Sequence, residues 1–434
     1  MLWPETTRRT RDGQMEIGGV GLRDLASEFG TPLYIFDEAT LRTRCRRIVS
    51  AMTAAYASSR VLYAGKAYLS PAIVRILHQE GLGLDVVSGG ELYGGLMAGI
   101  PAADMTFHGN NKGIEELRDA IRAGIGHIAV DNELELSRLS LLAREFSTKI
   151  PLLLRLNPGI DVHTHEKIKT GAIDSKFGFP LWTGDAERIC SIVAADPGLQ
   201  LDGYHVHLGS QLFDPDASRV AVTMLIEFGA RMRDQFGIEP KIISPGGGFG
   251  IAYGRTDEEA EFEEWAQITG KAAIETSEQY NLPLPMLTVE PGRSIVGPAG
   301  VAMYEVGAHK RIENVRHYVS VDGGMADNIR PTLYGAKYTA EIVNREASGP
   351  EEVVTIAGRY CESGDVLISD ISMPVLESGD LIAMPSAGAY ALPMASNYNA
   401  TPRPAVVLVS NGNARLIRRR ETYADVFATE VLRD

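Results

Sequence analysis

The chain has 434 residues, 44% hydrophobic and 23% charged, with 42 Lys+Arg against 56 Asp+Glu and a formal charge of −14. That composition excludes a disordered chain, the acidic balance speaks against a nucleic-acid partner, and no apolar run approaches the ~18 residues of a membrane helix. Cys45, Cys190 and Cys361 are too few for a disulfide framework, and the start Met1-Leu-Trp-Pro-Glu lacks the apolar stretch of a secretory signal, so a reducing cytoplasm is expected.

From about residue 36 to residue 299, short apolar runs alternate with helical patterns. The runs are Val61–Ala64, Leu84–Val87, Met105–His108, His127–Val130, Leu152–Leu156, Tyr204–Leu208, Ile242–Ser244 and Leu287–Glu290. They lack polar alternation, as strands covered on both faces do. Between them, Ser70-Pro71 marks an N-cap and first helical position, with Gly81 closing that helix. Ser88-Gly-Gly-Glu91 has capping-box spacing. Ile114, Leu117 and Ile121 share a face before Gly124, and Leu139, Leu142, Ala143 and Phe146 repeat the pattern. Eight strand–helix units of this size predict a (β/α)8 TIM-type barrel. The fifth unit carries a long Gly/His/Lys-rich insertion, Asn157–Pro180, of a length more often functional than idle.

After Gly300 the rhythm changes. Val315–Val321, Val353–Ala357, Asp380–Met384, Ala405–Ser410 and Ala414–Ile417 read as strands of a separate β domain, a sandwich or small barrel. Tyr34-Ile35-Phe36 is expected to return to it as a further strand. The predicted division is an N-terminal segment 1–35 packing with the β domain, a barrel 36–299, and a C-terminal β domain 300–434.

Chemistry in such barrels gathers at the C-terminal strand ends. Strand one is followed by Lys66. A lysine there suits a Schiff-base nucleophile, since desolvation favours a free amine; it suits equally a side chain snorkelling from the rim. Strand six carries His205-Val-His207, open to ring stacking or metal binding, and His163-Thr-His165 in the insertion has the same spacing. Strand seven ends in Pro245-Gly246-Gly247-Gly248-Phe249-Gly250, where backbone N–H groups can approach an anion or simply make a tight turn. Strand eight ends in Glu290-Pro-Gly-Arg293, a carboxylate beside a guanidinium fork. Loops seven and eight are the usual phosphate site of such barrels, so a lysine, a stacking His, a phosphate cradle and a carboxylate at one mouth describe a pyridoxal-phosphate site better than a metal site. In the β domain, Cys361-Glu-Ser-Gly-Asp365 offers a thiol flanked by acids, able to act as an acid or simply to be a small packed side chain. Arg330-Pro-Thr-Leu-Tyr334 offers a guanidinium and a phenol suited to a carboxylate.

Taken in order over nearly the whole chain, the motifs closely resemble the diaminopimelate decarboxylases, within the alanine-racemase-like (fold type III) pyridoxal-phosphate enzymes. The resemblance rests on Tyr63-Ala-Gly-Lys66-Ala, Asp85-Val-Val-Ser-Gly-Gly-Glu-Leu92, Phe107-His-Gly-Asn-Asn-Lys112, Arg155-Leu-Asn-Pro-Gly159, Asp174-Ser-Lys-Phe-Gly178 and His205-Val-His-Leu-Gly-Ser-Gln211. It continues through Gly246-Gly-Gly-Phe-Gly250, Glu290-Pro-Gly-Arg-Ser294, Asp322-Gly-Gly-Met325, Cys361-Glu-Ser-Gly-Asp365, Gly388-Ala-Tyr390 and Ser396-Asn-Tyr-Asn399.

The resemblance implies decarboxylation of meso-2,6-diaminopimelate to L-lysine and CO2, the last step of lysine biosynthesis. Lys66 would hold the cofactor covalently, His207 would stack on its ring and Glu290 would keep the pyridine nitrogen protonated. Ser210, Gly246, Gly247, Gly248, Gly292, Arg293 and Tyr390 would surround the phosphate, with Arg155 nearby. Arg293, Arg330 and Tyr334 would hold the substrate's distal carboxylate and Glu362 its amine, Tyr390 would also bind the substrate, and Cys361 would return a proton to the reacting carbon. Cys361 and Glu362 would enter from the second subunit of an obligatory homodimer, with Lys176 and Asp365 as a cross-subunit ion pair. Two departures stand out: Tyr68 where Asn or Phe is usual, and Ser244-Pro245 in place of Asn/Asp-Leu. Competing readings are a related decarboxylase of another basic amino acid or polyamine precursor, a metal-dependent barrel hydrolase, and a non-catalytic cofactor-binding relative.

Overall fold

The apolar runs become parallel strands buried on both faces. The computed structural model describes residues 2–159 and 174–432; His163 and His165 lie outside these. The strands are β1 (Ser59–Ala64), β2 (Gly83–Val86), β3 (Met105–Phe107), β4 (His127–Val130), β5 (Ile150–Asn157), β6 (Leu199–His205), β7 (Ile242–Gly246) and β8 (Met286–Val289). Each pairs in parallel with the next, and β8 returns to β1 with Val289 opposite Val61, closing an eight-stranded barrel. Helices separate the strands, as right-handed parallel crossovers require.

Strand β6 begins earlier than its apolar run indicates. Its first half, Leu199-Gln-Leu-Asp-Gly, is too polar to stand out, yet it pairs with Ile150–Leu153 of β5. Gly203 permits this: a Cβ there would meet the Ile242 carbonyl oxygen at 1.8 Å. In consequence His205 ends the strand and His207 lies beyond it, so the two imidazoles do not share a strand face.

The capping predictions need adjustment. Ser88 accepts the Glu91 N–H at 3.2 Å, but the Glu91 carboxylate takes the N–H of Val87 at 2.8 Å and not that of Ser88. Ser70 occupies the N-cap without a side-chain cap, and Pro71 alone pre-sets the helix start.

The chain forms two compact units: residues 44–250 with 260–292, which hold the barrel, and residues 1–43, 251–259 and 293–434. The boundaries read at 35/36 and 299/300 thus fall at 43/44 and 292/293, and the short segment 251–259 also folds into the β-rich unit. In that unit Leu33–Asp37 lies between Gly300–Ile312, to which it is antiparallel, and Ala405–Ser410, to which it is parallel. Gly300–Ile312 was hidden in the sequence because its first half is buried and its second half exposed. It bends at an irregularity between Val306 and His309 and pairs onward with Arg316–Val321. Val366–Pro374, also hidden by polar residues, pairs with Glu351–Ala357. Met15, Ile17, Leu22, Leu33, Ile35, Val301, Val407 and Val409 form this unit's core.

Candidate active site

Lys66 sits on the single turn Gly65–Ala67 that follows β1, half-buried. The turn is clamped by Tyr63, whose hydroxyl donates to the Tyr68 carbonyl at 2.8 Å and accepts the Tyr68 N–H at 3.1 Å. Tyr68, the first departure, is buried in that clamp.

Deeper in the barrel unit, Glu290 is 6% exposed and follows β8. His205 Nε2 donates to its Oε2 at 3.0 Å and Ser244 Oγ donates to its Oε1 at 2.9 Å. The second departure, Ser244, is therefore a ligand of the central carboxylate. His108 Nε2 lies 3.6 Å from Glu290 Oε1 and 3.8 Å from Asp85 Oδ1. Burial opposes the Glu290 charge, but His205 and the hydrogen bonds from His205 and Ser244 outweigh it and hold its pKa well below the carboxylate range. Asp85 goes the other way, pushed well above that range by burial and then by the Glu290 charge. Two neighbouring buried carboxyls are thereby split into one anion and one acid. Burial also pulls His108 and His207 well below the usual imidazole range, so both are neutral near pH 7.

The glycine run is spatially obligatory. A Cβ on Gly247 would lie 1.9 Å from the Glu290 carbonyl oxygen, and one on Gly246 would lie 2.9 Å from His207 Nδ1. Gly246 and Gly248 adopt φ of +78° and +104°. Gly292 is hemmed by Ala64 and Ala67, and Ser210 is exposed beyond β6. Arg155 on β5 meets Asp131 at 3.3 Å and lies over the Phe177 ring at 4.3 Å. Asp131 also takes the Gly178 N–H at 2.6 Å. Behind it, Lys112 and Glu135 form a fully buried ion pair at 2.6 Å, and Lys112 also donates to the Gly109 and Ala129 carbonyls.

The β-rich unit holds a second polar centre. Arg293 and Arg330 both donate to the Tyr253 hydroxyl, Arg330 also donates to Tyr338, and Arg293 lies over the Tyr390 ring at 4.7 Å. Tyr334, Cys361 and Glu362 are exposed. Thr332 ties their two segments together by donating to the Gly364 carbonyl at 2.8 Å, and Asn399 and Tyr398 bind the Cys361 backbone. The Asp365 carboxylate accepts the Met325 and Tyr360 N–H groups, and the Lys176 ammonium lies 5.0 Å from the Phe177 ring.

Thus Lys66, Arg155, His207, Ser210, Gly246, Gly247, Gly248, Glu290 and Gly292 belong to the barrel unit, and Arg293, Arg330, Tyr334, Cys361, Glu362 and Tyr390 to the other. The roles of Asp85, His108, Ser244, Tyr253 and Tyr338 escaped the sequence reading. The first three stand in or beside quoted motifs at strand ends, which was a usable signal. The two tyrosines had none.

A cofactor with a flat, protonatable ring and an anionic tail fits the barrel residues. Asp85 Oδ1, His108 Nε2, His205 Nδ1 and His207 Nδ1 are buried with no hydrogen-bond partner among the described residues, and the glycine run leaves backbone open to close approach. His108, His205 and Glu290 also have donor atoms within 4.8 Å of one another, spacing that a metal would accept. The comparisons separate these readings. Residues 39–297 match the family model for the pyridoxal binding domain of pyridoxal-dependent decarboxylases. Fold and site therefore define an enzyme of that class. Along its length the chain is 46% identical to the diaminopimelate decarboxylase of Bacillus subtilis, over 97% of this chain and 96% of that one. A crystal structure of the M. jannaschii diaminopimelate decarboxylase superposes with a TM-score of 0.93 at 33% identity, covering 99% of this chain and 98% of that one. Its complex with L-lysine gives 0.92 at 35% identity, covering 100% and 99%. The chain belongs to the diaminopimelate decarboxylase family.

Proposed function

We propose that the chain uses pyridoxal 5'-phosphate to decarboxylate meso-2,6-diaminopimelate to L-lysine and CO2. The observation that carries this reading is the pairing of full-length kinship with an intact barrel centre, Lys66 together with an ionised Glu290 held by His205 and Ser244. When bound, the cofactor supplies an electron sink for the pair of electrons left as CO2 departs. Lys66 offers the amine that retains the cofactor. Glu290, anionic on its two hydrogen bonds, keeps a proton on the ring nitrogen, and neutral His207 presents a flat face without adding positive charge. Ser210, the N–H groups of Gly246 to Gly248, Gly292, Arg293 and Tyr390 bind the phosphate, and Arg155, braced by Asp131, lies beside the cofactor.

Arg293, Arg330 and Tyr334 hold the non-reacting carboxylate, Glu362 holds the non-reacting amine, and Tyr390 also binds the substrate. Cys361 delivers a proton from Sγ to the reacting carbon. Cys361 and Glu362 act on the partner subunit's substrate, so the working form is a homodimer, with Lys176 and Asp365 pairing across the interface. Exposure of the Cys361–Glu362 loop supports this arrangement. No helix among the described residues is long and apolar enough to cross a membrane, and the low cysteine count supports a cytoplasmic setting. The test is lysine and CO2 release from meso-diaminopimelate by purified protein, with and without added cofactor. Cofactor-dependent lysine formation is expected; no lysine from protein that binds the cofactor would leave the class and overturn the substrate.

A further inference from the structure

One phenol in the β-rich unit serves two guanidiniums. Arg330 Nη1 donates to Tyr253 Oη at 2.6 Å, and Arg293 Nη1 donates to the same oxygen. Guanidiniums stay charged at any working pH, so two of them on one neutral oxygen repel each other unless an anion is near. Arg330 is 6% exposed, and among the described residues its guanidinium donates to the phenols of Tyr253 and Tyr338. No carboxylate pairs with Arg330 among the described residues, and a buried guanidinium bonded to phenols is a good receptor for one.

Tyr253 is itself held firmly. Asp257 Oδ2 accepts the N–H groups of Tyr253 and Gly254 at 3.0 and 2.8 Å, which fixes the backbone beneath the ring. Tyr338 packs edge-on against the ring, centroids 5.1 Å apart at 84°. A phenolic oxygen has two acceptor sites and one proton. With both acceptor sites taken by guanidiniums, the proton is left to donate.

We propose that Tyr253 is the positioning residue that joins Arg293 and Arg330 into one double fork for the non-reacting carboxylate, its own hydroxyl proton directed to the same anion. The proposal rests on the substrate reading above and adds the residue that makes the two arginines act together. Of the two arginines Tyr338 bonds Arg330 and not Arg293, and it is the natural control.

The experiment compares wild type, Tyr253→Phe and Tyr338→Phe holoenzymes in turnover of meso-diaminopimelate. It also compares inhibition by L-lysine with inhibition by 1,5-diaminopentane, which lacks the carboxylate. Tyr253→Phe should raise KM by about tenfold to a hundredfold with kcat within about threefold, the worth of hydrogen bonds to a charged group. Its preference for L-lysine over 1,5-diaminopentane should fall by the same factor while cofactor absorbance stays unchanged. Tyr338→Phe should show a smaller change. Wild-type KM and wild-type inhibitor preference in Tyr253→Phe would overturn the proposal, as would equal weakening of both inhibitors, the mark of a merely structural role. Wild-type protein that neither turns over meso-diaminopimelate nor distinguishes the two inhibitors would instead sink the substrate reading, and this inference with it.

Discussion

At the barrel centre the buried charge is Glu290, and it is surrounded by groups that make its ionised form comfortable: the Nε2–H of His205 and the hydroxyl of Ser244. In the β-rich unit Arg330 is a buried charge whose partners among the described residues are the phenols of Tyr253 and Tyr338. At the first centre the Glu290 charge is already hydrogen-bonded on both oxygens, which suits a ligand that adds a proton. At the second, the described partners of Arg330 are neutral hydroxyls, which suits a ligand that brings a negative charge. The contrast extends to two buried groups that titrate. His108 is held neutral where the unfolded chain would be charged, whereas Asp327, buried against Tyr34 and Tyr304, has its pKa raised to about 7 by burial, against the hydrogen bond from Tyr304. Of these two groups, His108 resists taking up a proton and Asp327 resists releasing one.

The division of labour breaks most visibly at Lys66. Lys66→Ala should lower lysine formation by on the order of a thousandfold or more and abolish cofactor retention through desalting. Activity within tenfold of wild type would remove the barrel centre from the chemistry. Arg330→Ala should cost roughly 10²- to 10³-fold in kcat/KM for meso-diaminopimelate, since it removes one side of a buried charged pair with substrate. Its cofactor absorbance should match wild type, because the two centres do separate jobs, and lost absorbance would blur the contrast.

Lys112→Met tests the scaffold under the barrel centre. It strands the Glu135 carboxylate, whose pair is 2.6 Å long and 1% exposed on both sides, and should cost about 3–5 kcal/mol of stability by thermal or denaturant unfolding. An unchanged Tm would mean that the pair contributes nothing net.

The smallest effects are pH-dependent and of opposite sign. Unfolded, His108 takes up a proton near pH 6.5; folded, its pKa lies well below that, so it costs stability as pH falls below about 6.5. Asp327 titrates at 3.8 unfolded and at about 7 folded, so its contribution is full below 3.8 and is lost as pH rises to about 7. Each slope is at most ~1.4 kcal/mol per pH unit, and between about pH 4 and 6.5 the two oppose each other. Relative to wild type, the slope of Tm across that range should shift toward falling with rising pH in His108→Gln and toward falling with falling pH in Asp327→Asn. Parallel profiles in all three proteins would show that neither group titrates as assigned.

Much of this was determined by the sequence alone. Strands buried on both faces must be apolar without alternation, so eight such runs, punctuated by Gly, Pro and Ser, already specify a closed parallel barrel, and the residues just past them, Lys66, Gly246 to Gly248 and Glu290, are legible as its rim. What the tertiary structure alone decided has no local period to announce it. The start of β6 is set by pairing with β5 and by the close approach at Gly203, not by its own polar residues. Gly300–Ile312 switches from buried to exposed midway because it pairs with different strands along its length. Ser244, an oddity in the sequence, gains its meaning from a carboxylate 46 positions away, and Tyr253 gains its own from arginines 40 and 77 positions away. Hydrophobic patterning reports which way a side chain faces, but which charge it meets there is a property of the closed chain.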